Sequence, residues 1–386
     1  MTRLLLFEPE DADERWQPFK GVRPVAELRA GAWRLRERWE RATGLRAEAI
    51  IGDSVAGFTD VDTPPVVKRG AVAGPALLAA SDFVPDEASI TVPDGVTRLV
   101  AHGRTAALVL AEGEPARELH EIGSAREIAG RWVQGTFDLL ECLSGLLSAD
   151  CAAVTATVPL PAQSLVLGDP AQVRLASDAV EPGVVFDVRH GAIAILPGAE
   201  IRSGTRLEGP CWIGAGARIV GGFVRQSVIG PRCVVRGEVS NSVFLGYANK
   251  AHDGFVGHSV IGHWVNLGAL TTTSNLKNTY GAVRLDLPQG RIETGSQFVG
   301  SLIGDHAKTA IGTLFSTGSV IGAGASVFGD RRPPRWLRPF AWGSDGETQT
   351  TEAGFLSTAR RVMPRREVAV TPAHEAWLSA LYRALA

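Results

Sequence analysis

Residues 195–219 read I-L-P-G-A-E-I-R-S-G-T-R-L-E-G-P-C-W-I-G-A-G-A-R-I. Ile195, Ile201, Leu207, Ile213 and Ile219 recur at a six-residue step, with Gly198, Gly204 and Gly216 between them. One inward apolar residue in six is the hexapeptide pattern of a parallel β-helix. Each hexapeptide makes one face of a triangular coil, and about 18 residues complete a turn. The apolar residue stacks on its equivalents one coil away, and small residues let the chain turn the corners. An ordinary β-sandwich would have to produce five consecutive matches by accident.

Working outward, Val173, Ala179 and Val185 show the same step earlier, and Ile261 with Leu267, then Phe315, Ile321 and Val327, show it later. The β-helix is therefore expected over 164–330, in roughly nine coils or fewer if insertions interrupt it. Beyond it, Arg331-Arg332-Pro333-Pro334 and the aromatics Trp336, Phe340 and Trp342 are expected to end the coil. Two short helical patterns, 352–362 and 373–385, complete a cap and tail over 331–386.

Before Pro159-Leu160-Pro161 the texture differs. Leu4 to Phe7 reads as a short buried strand, followed by a charged loop. Leu28, Ala32, Leu35, Trp39 and Ala42 fall at helical spacing and stop at Gly44. Ala49 to Ile51, Val66-Val67 and Ala107 to Leu110 read as strands. Ser124 with Glu127 resembles a capping box opening a helix to Leu147. Alternating strands and helices predict an α/β domain over residues 1–160.

Hydrophobic residues form 45% of the 386, enough for sizeable cores. With 39 basic and 41 acidic residues, the charge balance asks for neither nucleic acid nor an anionic membrane as partner. Cys142, Cys151, Cys211 and Cys233 are too scattered for a zinc motif and read as buried free thiols. The first apolar run is four residues, shorter than a signal-peptide core, and no run reaches membrane-spanning length. The expected location is cytoplasmic.

Residues 246–281 interrupt this scaffold with polar side chains. Three of the eight histidines lie there, His252, His258 and His263, together with Lys250, Asn266, Asn275, Lys277 and Tyr280. Such side chains suit a phosphorylated, hydroxylated ligand.

Several blocks carry a family resemblance: R-P-V-A-E-L-R-A-G, N-K-A-H-D-G-F, W-V-N-L-G-A, S-N-L-K-N-T-Y-G and G-D-H-A-K-T-A-I. The array resembles the left-handed β-helix of bacterial acyltransferases. The whole chain is similar to sugar nucleotidyltransferases related to the bifunctional glucosamine-1-phosphate acetyltransferase and uridylyltransferase. That resemblance implies N-acetylation of a sugar phosphate by acetyl-CoA, with His252 as the base; an imidazole suits that work near neutrality.

The resemblance also places Lys250, Phe255, Asn266, Asn275, Lys277 and Tyr280 at the sugar phosphate, and Ala269, Ser301 and Ala310 along the acetyl-CoA groove. Phe255 stands where the family often has tyrosine, and Leu270 replaces a glycine beside the cofactor turn. A homotrimer is implied. For the N-terminal domain it implies sugar-1-phosphate nucleotidyl transfer from UTP or dTTP. The glycine-rich triphosphate loop is missing, however, so a degenerate or regulatory domain is equally compatible. Arg23 and Arg29 are the candidate nucleotide cations, and Asp53 and Asp82 the candidate magnesium ligands. Two other readings stay open. His258-x4-His263 has the spacing of β-helical carbonic anhydrases, although His252, His190 and His306 are poorly placed as a third ligand. A non-catalytic scaffold sensing a nucleotide sugar is the other.

Overall fold

The computed structural model describes residues 3–9, 13–86 and 89–386; part of the expected charged loop after the first strand lies outside them. Strand Leu4–Phe7 pairs in parallel with Ala47–Ile51 on one side and Ala76–Ala80 on the other. These are the inner strands of a seven-stranded mixed sheet, flanked by Val66–Val67 at one edge and by Arg104–Leu110, Arg98–Ala101 and Ala125–Glu127 towards the other. All four residues of the first strand are buried, as expected for a strand covered on both faces.

Two helices differ from their expected extents. The first, α1, spans Leu35–Thr43. Leu28 and Ala32 are buried without being helical, because Gly31 takes φ 65° and turns the chain into a short hairpin, Arg29–Ala30 against Trp33–Arg34. The second, α2, spans Asp138–Ala152. Ser124 caps no helix. Residues Ala125–Glu127 instead pair with Arg98–Ala101, and the Glu127 side chain accepts the His102 backbone N–H at 3.2 Å. Pairing with a waiting sheet edge overrides local helical pattern.

The second half is a parallel β-solenoid built on sheets of nine, six and four strands. Ile195, Ile201, Leu207, Ile213 and Ile219 are each 0% exposed, and the register places Leu207 between Phe186 and Val224. At the entry Val173 is inward, with Leu175, but the next inward residues are Val180 and Phe186 rather than Ala179 and Val185.

At the far end the aromatic segment does not leave the coil. Trp336–Leu337 pairs with the strand Ser319–Ile321, and Ala341–Trp342 extends the neighbouring face. Leu337 and Ala341 fill the inward positions, so the aromatics can project outward. One coil is enlarged by a hairpin, Arg284–Leu287 with Gly290–Glu293.

The tail forms α3, Glu352–Val362, and α4, Pro372–Leu385. They fill a wedge between one solenoid corner and the N-terminal sheet. Phe355 packs edge-on against His306 and Phe340, and Trp377 meets Phe58 at 5.4 Å. A single apolar cluster joins sheet residues such as Leu4 and Leu77 to Trp264 and Phe340 of the solenoid and Leu378 of α4. All four cysteines are free and buried. Among the described residues no helix is long and apolar enough to cross a membrane.

Candidate active site

Each coil has three corners, and the expected site residues are distributed among them. His252 stands at the corner after the strand Asn249–Lys250, and it is exposed. Lys250 occupies the inward column in register with Val235 and is 1% exposed. A buried ammonium needs acceptors. Lys250 Nζ donates to the carbonyls of Arg236 at 3.0 Å and His252 at 2.6 Å. Burial lowers its pKa to about 8, against the opposing charge of Asp253. The lysine therefore pins the corner from inside.

Outside, Arg236 Nε meets Asp253 Oδ1 at 3.0 Å. Gly254 closes the turn at φ 127°, where a Cβ would lie 2.4 Å from the Thr271 carbonyl; only glycine fits. The result is a rigid corner with a solvent-facing imidazole.

Phe255 and Asn275 lie on the next face. A Cβ on Gly257 would come within 2.4 Å of the Phe255 ring and 2.8 Å of Asn275 Nδ2, so glycine makes the hollow that both enter. Asn275 Nδ2 lies 2.8 Å from His258 Nδ1, and the His258 ring stacks on Phe298 at 5.0 Å. Burial, with help from Arg225, lowers the His258 pKa to about 4, leaving a neutral ring that accepts at Nδ1. Arg225 Nε donates to Ser240 Oγ at 2.9 Å.

Arg225, Ser240 and Gly257 form one register column. Counting coils backwards from Gly257 would have found the first two. Lys277 and Tyr280 follow in the enlarged coil. Lys277 Nζ is bonded to the Ala282 carbonyl, and the Tyr280 ring is 68% exposed.

Asn266 is not on that face. It is bridged to Asn249 and Lys308 and accepts from Asn249 Nδ2 at 3.0 Å, beneath the tail. Ala269 and Ala310 lie half-buried at the His252 corner, whereas Ser301 is fully buried beside Ser259, at the His258 corner.

His258 and His263 occupy different corners with different partners. His263 Nδ1 donates to Asp60 Oδ2 at 2.7 Å, and its backbone N–H donates to Asp305 at 2.9 Å. No group of three or more His, Cys, Asp or Glu side chains able to hold a metal occurs among the described residues.

Arg23 completes the His263 cluster. It reaches Asp305 Oδ2 at 2.9 Å and Asp60 Oδ2 at 2.5 Å. Burial alone would raise the Asp60 pKa, but His263 and Arg23 hold it well below the usual carboxylate range. Burial and the Arg23 charge keep His263 below its ordinary value. Arg29 donates to the Leu245 carbonyl at 3.0 Å and to that of Ala32 at 2.5 Å. Both expected nucleotide cations thus face the solenoid and tie the two halves together.

The N-terminal domain has its own cleft, about 480 Å³, at the carboxyl ends of Leu4–Phe7 and Ala76–Ala80. Ligands of open α/β sheets bind at this kind of location. Glu8, Arg15, Asp82, Arg104 and Trp132 are among its lining residues; Asp53 is not, and instead accepts the Arg69 backbone N–H at 3.0 Å. Burial raises the Glu8 pKa to about 7, against the pull of the Ala26 and Val25 N–H groups. Those two donors use its oxygens, at 3.1 and 2.6 Å. Of the other lining carboxylates, Asp13, Asp82, Glu118 and Glu121, only Asp82 is buried; burial raises its pKa, and Arg104 lies at 3.4 Å. One carboxylate plus substrate phosphates is a donor set that suits magnesium. Glu8 was readable as the residue after the first strand; Arg15 and Arg104 had no sequence signal.

Residues 4–158 match the family model described as sugar nucleotidyl transferase. A bifunctional sugar-1-phosphate nucleotidylyltransferase/acetyltransferase of Sulfurisphaera tokodaii is 35% identical over 91 residues, covering 24% of this chain and 23% of that protein. Bifunctional protein GlmU of Methanocaldococcus jannaschii is 33% identical over 98 residues, 24% of each chain. The chain thus spans about a quarter of the length of the curated relatives it matches. A solved structure of a UDP-N-acetylglucosamine acyltransferase aligns with 50% of this chain and 71% of its own at 11% identity, with a TM-score of 0.16.

Proposed function

We propose that the chain is a transferase with two chemistries: N-acetylation of an amino-sugar phosphate by acetyl-CoA at the His252 corner, and sugar-1-phosphate nucleotidyl transfer in the N-terminal cleft. The observation that carries the first is the exposed His252 imidazole on a corner that Lys250 pins from within. The base takes the proton of the acceptor ammonium, the amine attacks the thioester carbonyl, and CoA departs as thiol. His252 makes no hydrogen bond through its ring to another described residue, so its nitrogen is available. Arg225 and Lys277 are the cations on the neighbouring face for the phosphate, and Phe255 packs against the sugar ring.

The match of residues 4–158 supports the second chemistry. Asp82 would hold magnesium beside the triphosphate of UTP or dTTP, and Arg104 and Arg15 would balance its charge. The metal would neutralise phosphate charge and orient the leaving pyrophosphate. Arg23 and Arg29 keep the cleft domain docked.

A homotrimer completes this reading. Leu270, Ile311 and Phe328 are 57%, 77% and 39% exposed along the His252 corner. An apolar stripe of that kind suits burial against a second copy and the acyl-CoA chain. The test is paired: thiol release from acetyl-CoA with glucosamine 1-phosphate, and pyrophosphate release from UTP or dTTP with a sugar 1-phosphate. Absence of thiol release overturns the acetyl step; absence of pyrophosphate release reduces residues 4–158 to a binding domain.

A further inference from the structure

Between the solenoid face and α3 with its following turn lies a groove of about 370 Å³. Its floor is the outward column Asn249, Asn266 and Lys308. Its roof includes Arg361 and Arg366. Four cationic side chains line it, Lys308, Arg361, Arg365 and Arg366, and no carboxylate does so among the described residues. Like charges gathered in a partly dry space repel unless an anion joins them.

Two buried donors in the lining have no acceptor: the indole N–H of Trp264, which is 1% exposed, and Arg366 Nε. Such orphaned donors are costly in a folded chain. The remaining polar atoms are already oriented. Arg366 donates to Asn249 Oδ1 at 3.1 Å, and Asn249 donates on to Asn266. Lys308 Nζ donates to the His306 carbonyl at 3.0 Å and the Trp264 carbonyl at 3.4 Å, which leaves one of its three donors for a ligand.

We infer that this groove is a second ligand site, which binds a small phosphorylated molecule through Lys308, Arg361, Arg366 and Asn266. It is built by one chain, separate from the hollow that holds Phe255 and Asn275, and independent of the transfer chemistry. Its volume admits a phosphosugar. The phosphate sits among the cations, and Asn266 faces the hydroxyls. Burial has already lowered the Lys308 pKa to about 8, and a bound dianion would favour its protonated form.

The test is calorimetric titration of the full chain with inorganic phosphate and with glucose 1-phosphate, without acetyl-CoA. Besides any binding at the Phe255 face or in the N-terminal cleft, one further site per chain that depends on Lys308 and Arg361 is expected. Lys308→Gln and the more exposed Arg361→Gln should each weaken phosphate binding about tenfold or more, the scale of a lost charged hydrogen bond. His252→Ala should leave the affinity unchanged. Circular dichroism of each variant reports folding, and Arg361→Gln, on an exposed helix surface, keeps the test open if Lys308→Gln unfolds. No binding of either probe, unchanged affinity in folded Arg361→Gln, or loss of binding in His252→Ala would each overturn the assignment. Failure of the thiol-release assay would leave this result untouched, so the two readings fall separately.

Discussion

His252 and His263 stand eleven residues apart on two corners of one coil, with the His258 corner between them, yet their environments are opposites. The His263 corner is covered by the N-terminal domain, and its imidazole is fixed by Asp60, which also binds the Arg23 guanidinium that holds Asp305. His252 is exposed, and its corner is held from inside by Lys250. A histidine at a solenoid corner becomes a latch where a second domain lands and stays chemically available where none does. Burial costs the first ring its proton affinity and gains a rigid junction.

That contrast can be broken by substitution. The largest effect expected is on catalysis: His252→Ala should lower acetyl transfer by about 10²–10⁴-fold, the usual worth of a general base, without lowering the melting temperature. An unchanged rate in the thiol-release assay would remove the chemical half of the contrast. Arg23→Ala should act on the other half. It leaves Asp60 and Asp305 buried together without their cation, a loss of about 3–5 kcal/mol, read by urea unfolding. A loss below about 1 kcal/mol, the level of an exposed pair, would show that the latch is not what docks the domains.

Acidification should sharpen the contrast further. The folded His258 pKa is lowered from 6.5 to about 4, so the unfolded chain takes up its proton first. Its contribution to stability is fully present above pH 6.5 and is lost as pH falls towards about 4. His263, His306 and His374 shift in the same direction. The folded Asp60 pKa lies well below 3.8, so its contribution persists to lower pH and is lost only as pH falls below 3.8. Unfolding midpoints measured between pH 7 and 4 should therefore fall, and fall less steeply in His258→Gln. An identical slope would mean that the Asn275–His258 contact does not depend on a neutral ring.

Phe255→Tyr is the smallest change. Adding one hydrogen-bonding hydroxyl next to the Asn275 hollow should lower KM for a sugar phosphate by about two- to tenfold, with kcat little altered. A shift in kcat alone would move Phe255 away from the phosphate.

The solenoid was legible because its determinants are short-range. Leu207 needs only Phe186 and Val224, one coil either way, to be buried. Where coils continue through prolines, as at Trp336–Leu337, outward aromatics disguised the inward Leu337 and Ala341. The helix expected from Ser124 failed for the converse reason: Ala125–Glu127 answers to a sheet edge built by Arg98–Ala101. At the candidate site, residue types drew attention to His252 and Asn275, and the family resemblance added Phe255. They could not separate Asn266, which the turn of a coil carries to another face and the tail then covers.

By itself the sequence determined the six-residue step, the inward column and the polar interruption at 246–281, because each is written within about one coil of chain. Only the tertiary structure decided which polar residues stay free. Arg23 reads as a nucleotide cation until Asp305, 282 residues away, takes its guanidinium. Lys250 reads as a phosphate ligand until the corner carbonyls claim its ammonium. A charge removed from water must find partners, and distant folding supplies them.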